Sequence, residues 1–142
     1  HTVLRRYHGS ERSISDGQLR GVAETEGIVG LMPSAEMLAG TPAECGPFEA
    51  FVRQYKDLAE IIDPSRIMTG SDFNGALPHL PPGCGGRGLW HIGELGNLWD
   101  DLRSAGAPVP SPVQGVTESF LMAWQKAEGN LAKNRLPPNA SR

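Results

Sequence analysis

The stretch that most clearly indicates the fold is Arg66-Ile-Met-Thr-Gly-Ser-Asp-Phe-Asn-Gly75. In it a short apolar run leads directly into Gly70, Ser71 and Asp72. A buried strand of an α/β protein ends in this way when it presents an acid at its C-terminal tip, where such folds collect their catalytic groups. Gly70 and Gly75 are expected to let the backbone turn on either side of the acid. Asp72 is therefore the candidate chemical centre, and an aspartate that only caps a turn is the alternative.

Composition narrows the class of protein. The 142 residues are enough for one domain, and 39% apolar residues are enough for a core. A net charge of -3 without a basic patch argues against nucleic acid as a partner. No apolar run approaches the ~18 residues that a transmembrane helix needs. Cys45 and Cys84 lack CxxC spacing, so one disulfide in an exported protein and two free thiols both stay open.

The first third of the chain predicts one helix followed by one strand. Residues 1–12 are polar and aperiodic and are predicted to form a loop. Ser15 followed by Gln18 fits a capping box at the start of a helix, which Gly27 is expected to end. The continuous apolar run over 28–32 is typical of a strand that is covered on both faces.

The rest of the chain repeats this alternation, which favours parallel βα units. The predicted elements are a loop over 33–46, a helix over 47–62, a strand over 66–69, an irregular Gly/Pro-rich segment over 76–90, a helix over 91–105, a helix over 116–127 and a loose tail over 130–142. Gly129 is expected to end the last helix. Two parallel strands do not make a covered sheet, so we expect the C-terminal part of a larger α/β domain, or a sheet completed by another chain.

Three motifs, in this order, resemble the C-terminal part of the membrane dipeptidase family (renal dipeptidase, peptidase family M19). His1 and Arg12 have the spacing of a metal-ligand histidine and a substrate-binding arginine in that family, and Ser13-Ile-Ser-Asp16 follows as the turn into a helix. Gly27-Ile-Val-Gly30 resembles the next strand, and Ser71-Asp-Phe-Asn-Gly75 resembles a Gly-Asp-Phe-Asp-Gly motif. The resemblance extends over residues 1 to about 128. Ser13 and Asn74 depart from the family pattern, and the segment over 76–90 does not align.

This resemblance implies an α/β fold: the C-terminal portion of a (β/α)8, TIM-like, metal-dependent hydrolase barrel, incomplete in this chain. The barrel part would occupy residues 1–129, with the tail over 130–142. A complete site would hold two zinc ions, mostly through residues outside this chain. His1 would be one metal ligand, Asp72 the general acid/base, and Arg12 the partner of the substrate's terminal carboxylate. A flexible terminal His1 and a solvated Arg12 are the alternatives.

The implied activity is zinc-dependent hydrolysis of a dipeptide or similar small amide. This chain alone is expected to be inactive, because the remainder of the barrel would have to complete the site. The alternatives are a catalytically decayed barrel module with a binding role, or a related amidohydrolase that acts on another amide or lactone. Convergence of His1, Arg12 and Asp72 on one pocket would favour an enzyme. Homo-oligomerisation and the cellular compartment, whether exported, membrane-associated or cytoplasmic, stay open.

Other residues give weaker signals. His8 and His79 are expected more often at the surface than in the cleft, and His91 is expected to begin a helix. Packing is the expected role of the three tryptophans, namely Trp90, Trp99 and Trp124. The sequon beginning at Asn139 is a short match that is common by chance.

Overall fold

The computed structural model of the chain describes residues 1–34, 37–38, 47–72, 93, 95–110 and 115–134. Its elements are helix α1 (Asp16–Glu24), strand β1 (Val29–Leu31), helix α2 (Pro47–Ala59), a 3-10 turn (Pro64–Arg66), strand β2 (Ile67–Thr69), helix α3 (Leu95–Ser104) and helix α4 (Gly115–Asn134). The predicted α/β class is confirmed. None of the helices in the described ranges is long and apolar enough to cross a membrane.

The two strands lie side by side and parallel, with Val29 opposite Ile67 and Leu31 opposite Thr69. Thr2 pairs with Leu31 in the same parallel sense. The backbone N–H of Thr2 donates to the Gly30 carbonyl at 2.9 Å, and the Met32 N–H donates to the Thr2 carbonyl at 2.9 Å. The first residues of the chain therefore lie parallel to β1 on the side opposite β2, as its second neighbour.

The predicted loop over 1–12 is thus wrong at its beginning. Val3 and Leu4 are completely buried, and Leu4 pairs in parallel with Ile14. The apolar run Val3-Leu4 is too short to show a period in the sequence. Its conformation is decided by pairing and burial, which the local sequence does not reveal. From Arg5 to Ser13 the chain does form turns and bends, as predicted.

Helix α1 begins as the sequence predicts. The Ser15 side chain accepts the Gln18 N–H, and the Gln18 side chain accepts the Ser15 N–H, which completes the capping box. The end differs, because the helix stops at Glu24 and the left-handed residue is Glu26, with φ 57°. Gly27 is needed for space instead: an added Cβ would lie 2.9 Å from Val22 Cγ1.

Among the described elements, helix α2 supplies more buried apolar residues than any other, as its periodicity predicts. Phe51, Tyr55 and Leu58 are almost fully buried on one face. The helix ends at Ala59, before the predicted end at residue 62, and Ile62 is buried beyond it. Within the predicted loop over 33–46, the described Met37 and Leu38 form a helical turn and are buried.

The second strand begins one residue later than predicted. Arg66 belongs to the 3-10 turn, whose first N–H groups are capped by Asp63. The Asp63 side chain accepts the Ser65 N–H at 2.8 Å. This hydrogen bonding from Ser65 lowers the pKa of Asp63. The turn holds residues 64–66 in helical geometry, so extended backbone starts at Ile67.

Helix α3 covers the core from another side. Leu98 and Leu102 are fully buried, and Trp99 packs edge-to-face on Tyr55 with ring centroids 6.5 Å apart. Packing as the role of Trp99 is therefore confirmed. The helix spans 95–104 within the predicted 91–105. Gly106 adopts φ +71° just beyond it, in agreement with a glycine end signal.

Helix α4 differs most from its prediction. It continues to Asn134, so the prediction that Gly129 ends it is wrong. A glycine inside a helix costs about 1 kcal/mol, which a 20-residue helix can tolerate. Four large apolar side chains on α4 are exposed in the described part of the chain, namely Phe120, Leu121, Met122 and Trp124. Trp124 stacks on Phe120 and is 57% exposed, so in the described part of the chain its predicted packing role extends no further than this ring contact.

Two contacts attach α4 beside the N-terminal ends of the strands. Ser119 and Ser65 share a hydrogen bond of 3.1 Å between their hydroxyls. Lys126 donates to the Glu26 carboxylate at 2.8 Å. The division of the chain at residue 129 stays a prediction, and residues 135–142 lie outside the described ranges.

Candidate active site

The candidate site lies at the C-terminal edge of the parallel strands. After β2, the Gly70 N–H donates to the Leu31 carbonyl at 2.9 Å, which extends the pairing by one step. The chain then passes through Ser71 to Asp72, which adopts the left-handed conformation at φ 53°. Aspartate is one of the few residues that occupy this region readily. The sequence expectation assigned the turn to Gly70, whereas the left-handed residue is Asp72 itself.

His1 and Asp72 meet at this edge although they are far apart in the chain. The His1 Nδ1 atom lies 3.4 Å from the Asp72 Oδ1 atom, and the two side chains are 49% and 31% exposed. Both are therefore partly shielded and still open to solvent. The pairing of Thr2 with β1 places His1 level with Gly30, which explains how the imidazole reaches the tip of β2.

The backbone around Arg12 is attached to the same segment. The Thr2 hydroxyl donates to the Arg12 carbonyl at 2.9 Å. The Arg5 guanidinium donates twice to the next carbonyl, that of Ser13, at 3.1 and 2.9 Å. Arg12 itself is exposed. The Arg12 backbone is therefore hydrogen-bonded to Thr2, the residue next to His1. The role of the Arg12 side chain in binding a carboxylate stays a prediction.

The metal-binding capacity of this edge is partial. Among the described residues, no three His, Cys, Asp or Glu side chains lie close enough together to hold a metal ion. His1 and Asp72 form a pair of groups whose chemistry fits zinc, because imidazole nitrogen and carboxylate oxygen are both zinc ligands. Any metal held here would need further ligands from residues outside the described part of the chain.

Comparisons with known proteins support this architecture. No protein-family model and no curated protein sequence matches the chain. A metallo peptidase from Rhodobacter sphaeroides, liganded with a phosphinate mimic of the dipeptide L-Ala-D-Ala, is similar with a TM-score of 0.68 and 23% identity, over 88% of this chain and 34% of that one. Dipeptidase AC, a metallo peptidase of family M19, is similar with a TM-score of 0.70 and 23% identity, over 91% of this chain and 36% of that one.

The similarity shows a shared fold. The chain spans about a third of the length of each of these two peptidases. The shared fold agrees with the resemblance to membrane dipeptidases that the sequence motifs carry, and with an incomplete α/β domain. The complete barrel, the metal and the activity are matters of proposal.

A cluster that sequence reasoning missed lies on the neighbouring turn. The Tyr7 hydroxyl donates to Asp57 at 2.5 Å, and the Arg53 guanidinium lies 4.9 Å from the Tyr7 ring centroid. The hydrogen bond to Asp57 is the main reason why the pKa of Tyr7 is raised. The Arg6 guanidinium is 3.4 Å from the same carboxylate. These contacts fasten the turn after Leu4 to α2, and no local sequence signal announces them.

Several weaker candidates are placed or lie outside the described ranges. His8 is half-buried, and its backbone N–H donates to the Leu4 carbonyl at 3.2 Å. Other predictions concern residues outside the described ranges, namely Cys45, Asn74, Gly75, His79, Cys84, Trp90, His91, the segment over 76–90 and the sequon at Asn139.

Proposed function

We propose that this chain supplies part of the active site of a metal-dependent hydrolase that acts on dipeptides or similar small amides. The site would lie in a membrane-dipeptidase-like (β/α)8 barrel, which residues beyond this chain complete. One observation carries the proposal: His1 and Asp72 meet within 3.4 Å at the C-terminal edge of parallel strands. Parallel α/β folds place their catalytic groups at this edge. The fold shared with two metallo peptidases gives independent support.

His1 is proposed as a ligand for one of two zinc ions. Its Nδ1 atom faces the Asp72 carboxylate, which leaves Nε2 as the metal-binding nitrogen. Carboxylates beside the second ring nitrogen commonly fix the orientation of metal-binding histidines. When bound, the zinc ions would polarise the substrate carbonyl and lower the pKa of the attacking water.

Asp72 is proposed as the general acid/base. Its carboxylate would accept a proton from the attacking water and return that proton to the nitrogen of the leaving amine. The left-handed backbone at φ 53° orients the side chain at the strand tip next to His1. Arg12 is proposed to bind the substrate's terminal carboxylate through the planar guanidinium, which suits a bidentate pair.

Two other proposals compete with this one. The first is a catalytically decayed barrel module with a binding role, and the second is a related hydrolase that acts on another amide or lactone. Of the three residues whose convergence would favour an enzyme, His1 and Asp72 meet, and the exposed Arg12 is joined to this segment through its backbone carbonyl. The partners proposed are the remainder of the barrel and a small peptide or amide substrate. Assembly into a homo-oligomer is a further proposal, which intact mass would test.

The test begins with the assembled protein, meaning this chain together with the residues that complete its site. Intact mass and zinc content should give close to two zinc ions per site. With L-Ala-D-Ala as the probe substrate, Asp72→Asn should lower the hydrolysis rate by about 10²- to 10⁴-fold, because a general acid/base contributes about that much. At saturating Zn²⁺ much of the bound zinc should remain, since Asp72 is proposed to move protons and to orient His1 and is not itself a proposed metal ligand.

Asp100→Asn is the matched control. Asp100 is an exposed aspartate on α3 that pairs with Arg103 at 2.6 Å, three residues along the same helix. Exposed pairs of this kind contribute little to stability, so activity should stay within about twofold of the unmodified protein. An assembled, zinc-loaded protein that hydrolyses neither dipeptides nor similar small amides would refute the proposal and favour the binding module. Full activity in Asp72→Asn would refute the role of Asp72.

A further inference from the structure

The imidazole of His1 lies directly against bare backbone. A Cβ atom added to Gly70 would lie 2.8 Å from His1 Cδ2 and 2.9 Å from the Gly30 carbonyl oxygen. A Cβ atom added to Gly30 would lie 3.1 Å from Gly70 Cα and 3.8 Å from the same His1 carbon. The space beside these two glycines is therefore occupied by the His1 ring and by the backbone of the neighbouring strand. We call Gly30 and Gly70 the glycine pair.

Backbone conformation does not explain why Gly70 lacks a side chain. Gly70 does not adopt a left-handed φ, whereas Gly106 does, at φ +71°. An alanine could adopt the Gly70 backbone without strain of this kind. Gly96 has nothing within 4 Å of an added Cβ. The requirement at Gly70 thus comes from close approach, and one of the two groups that approach is the proposed metal ligand.

We propose that Gly70 is a positioning residue for His1. The glycine pair lets the imidazole lie against the tips of β1 and β2, where Nδ1 faces Asp72 at 3.4 Å and Nε2 is left for a metal ion. Any side chain at Gly70 pushes the ring away from this place. The position of the imidazole ring is inferred from geometry alone. The expected effect on metal affinity rests on the proposed function.

Gly70→Ala should weaken Zn²⁺ binding by the assembled, metal-stripped protein by about 10- to 100-fold, the usual effect of disturbing the groups that orient a metal ligand. The NMR signal of the His1 Cδ2–H group should shift at the same time, because the new methyl group contacts this carbon. Gly96→Ala is the matched control, and it should leave both the Zn²⁺ affinity and the His1 signal unchanged.

A double-mutant cycle separates positioning from a general disturbance of the strands. His1→Ala removes one of the two clash partners and leaves the Gly30 carbonyl. If Gly70 acts through His1, adding Gly70→Ala to His1→Ala should change the Zn²⁺ affinity by less than about twofold. If the same 10- to 100-fold loss persists without the imidazole, the positioning role is refuted.

Folding provides a second readout. Should Gly70→Ala prevent folding, the His1→Ala/Gly70→Ala protein should recover part of the lost stability, because the 2.8 Å contact with the imidazole is gone while the 2.9 Å contact with the Gly30 carbonyl oxygen remains. A double variant that recovers none of it would assign the close approach to Gly30 and overturn the proposal.

Failure of the proposed function gives a different pattern. His1→Ala alone would then leave the Zn²⁺ affinity unchanged, while Gly70→Ala would still shift the His1 NMR signal. An unshifted His1 signal in folded Gly70→Ala would overturn the positioning role itself, whatever the metal affinity.

Discussion

Tyr55 allows a quantitative test of the core that supports the site. Its side chain is 1% exposed, and its hydroxyl has no hydrogen-bond partner within the described ranges. Burial, with a smaller contribution from the Asp63 carboxylate, raises the pKa of Tyr55 from 10.0 to about 12. The folded protein therefore keeps this phenol neutral over a pH range in which the unfolded chain ionises it.

This difference makes the free energy of unfolding depend on pH. Each pKa unit corresponds to about 1.4 kcal/mol, so a raised pKa of this size contributes about 2–3 kcal/mol of stability. Because the folded pKa lies above the unfolded one, the contribution is complete below about pH 10. It disappears as the pH rises from 10 towards 12, where the unfolded state gains by releasing the proton.

The assay compares urea unfolding of the unmodified protein and of Tyr55→Phe from pH 8 to pH 12. At pH 8 the variant should be as stable or slightly more stable, because it lacks an unpaired buried hydroxyl. Its advantage should grow by about 2–3 kcal/mol up to pH 12, since phenylalanine does not ionise.

Tyr7→Phe is the matched control for this experiment. Tyr7 is half-buried, and its hydroxyl donates to Asp57, so this variant should lose stability already at pH 8. A stability difference between the unmodified protein and Tyr55→Phe that stays constant from pH 8 to pH 12 would refute the reasoning. So would a loss above about 1 kcal/mol at pH 8, because it would mean that the hydroxyl is paired.

Two further predictions concern the capping box of α1 and the contact between Glu26 and α4. Ser15→Ala should lower the free energy of unfolding by about 1 kcal/mol, because it removes the capping box of α1; urea unfolding measures this, and an unchanged midpoint would contradict it. The hydrogen bond from Lys126 is the main reason why the pKa of Glu26 is lowered, and this exposed pair is lost as the pH falls through that pKa. Lys126→Gln should therefore raise the pKa of Glu26 in an NMR titration, whereas an unchanged value would refute the contact.

Local signals in the sequence predict the elements whose causes are local. Ser15 and Gln18 begin α1 by hydrogen bonds within one turn, and the periodicity of α2 buries Phe51 and Tyr55 as expected. Gly129 shows the limit of such signals, because a glycine weakens a helix without having to end it.

Non-local contacts decide what the sequence could not predict. The burial of Val3 and Leu4 depends on their pairing and on α2, and two apolar residues in a row carry no period. The meeting of His1 and Asp72 could be anticipated only as far as the ends of parallel strands share one edge. The contact between His1 and Gly70 requires the register of Thr2 on Leu31, which composition and spacing do not contain.

The buried side chain of Gln54 has a consequence for the order of synthesis. Its Oε1 atom accepts the backbone N–H of Leu4, 50 residues earlier in the chain, at 2.9 Å. At about 5–20 residues per second, a ribosome makes Leu4 roughly 3–10 s before Gln54 exists. During that interval the Leu4 N–H lacks this acceptor, and the apolar Val3 and Leu4 lack the cover of α2. In a nascent chain of this protein, two residues that are completely buried in the fold thus stay uncovered until α2 has emerged.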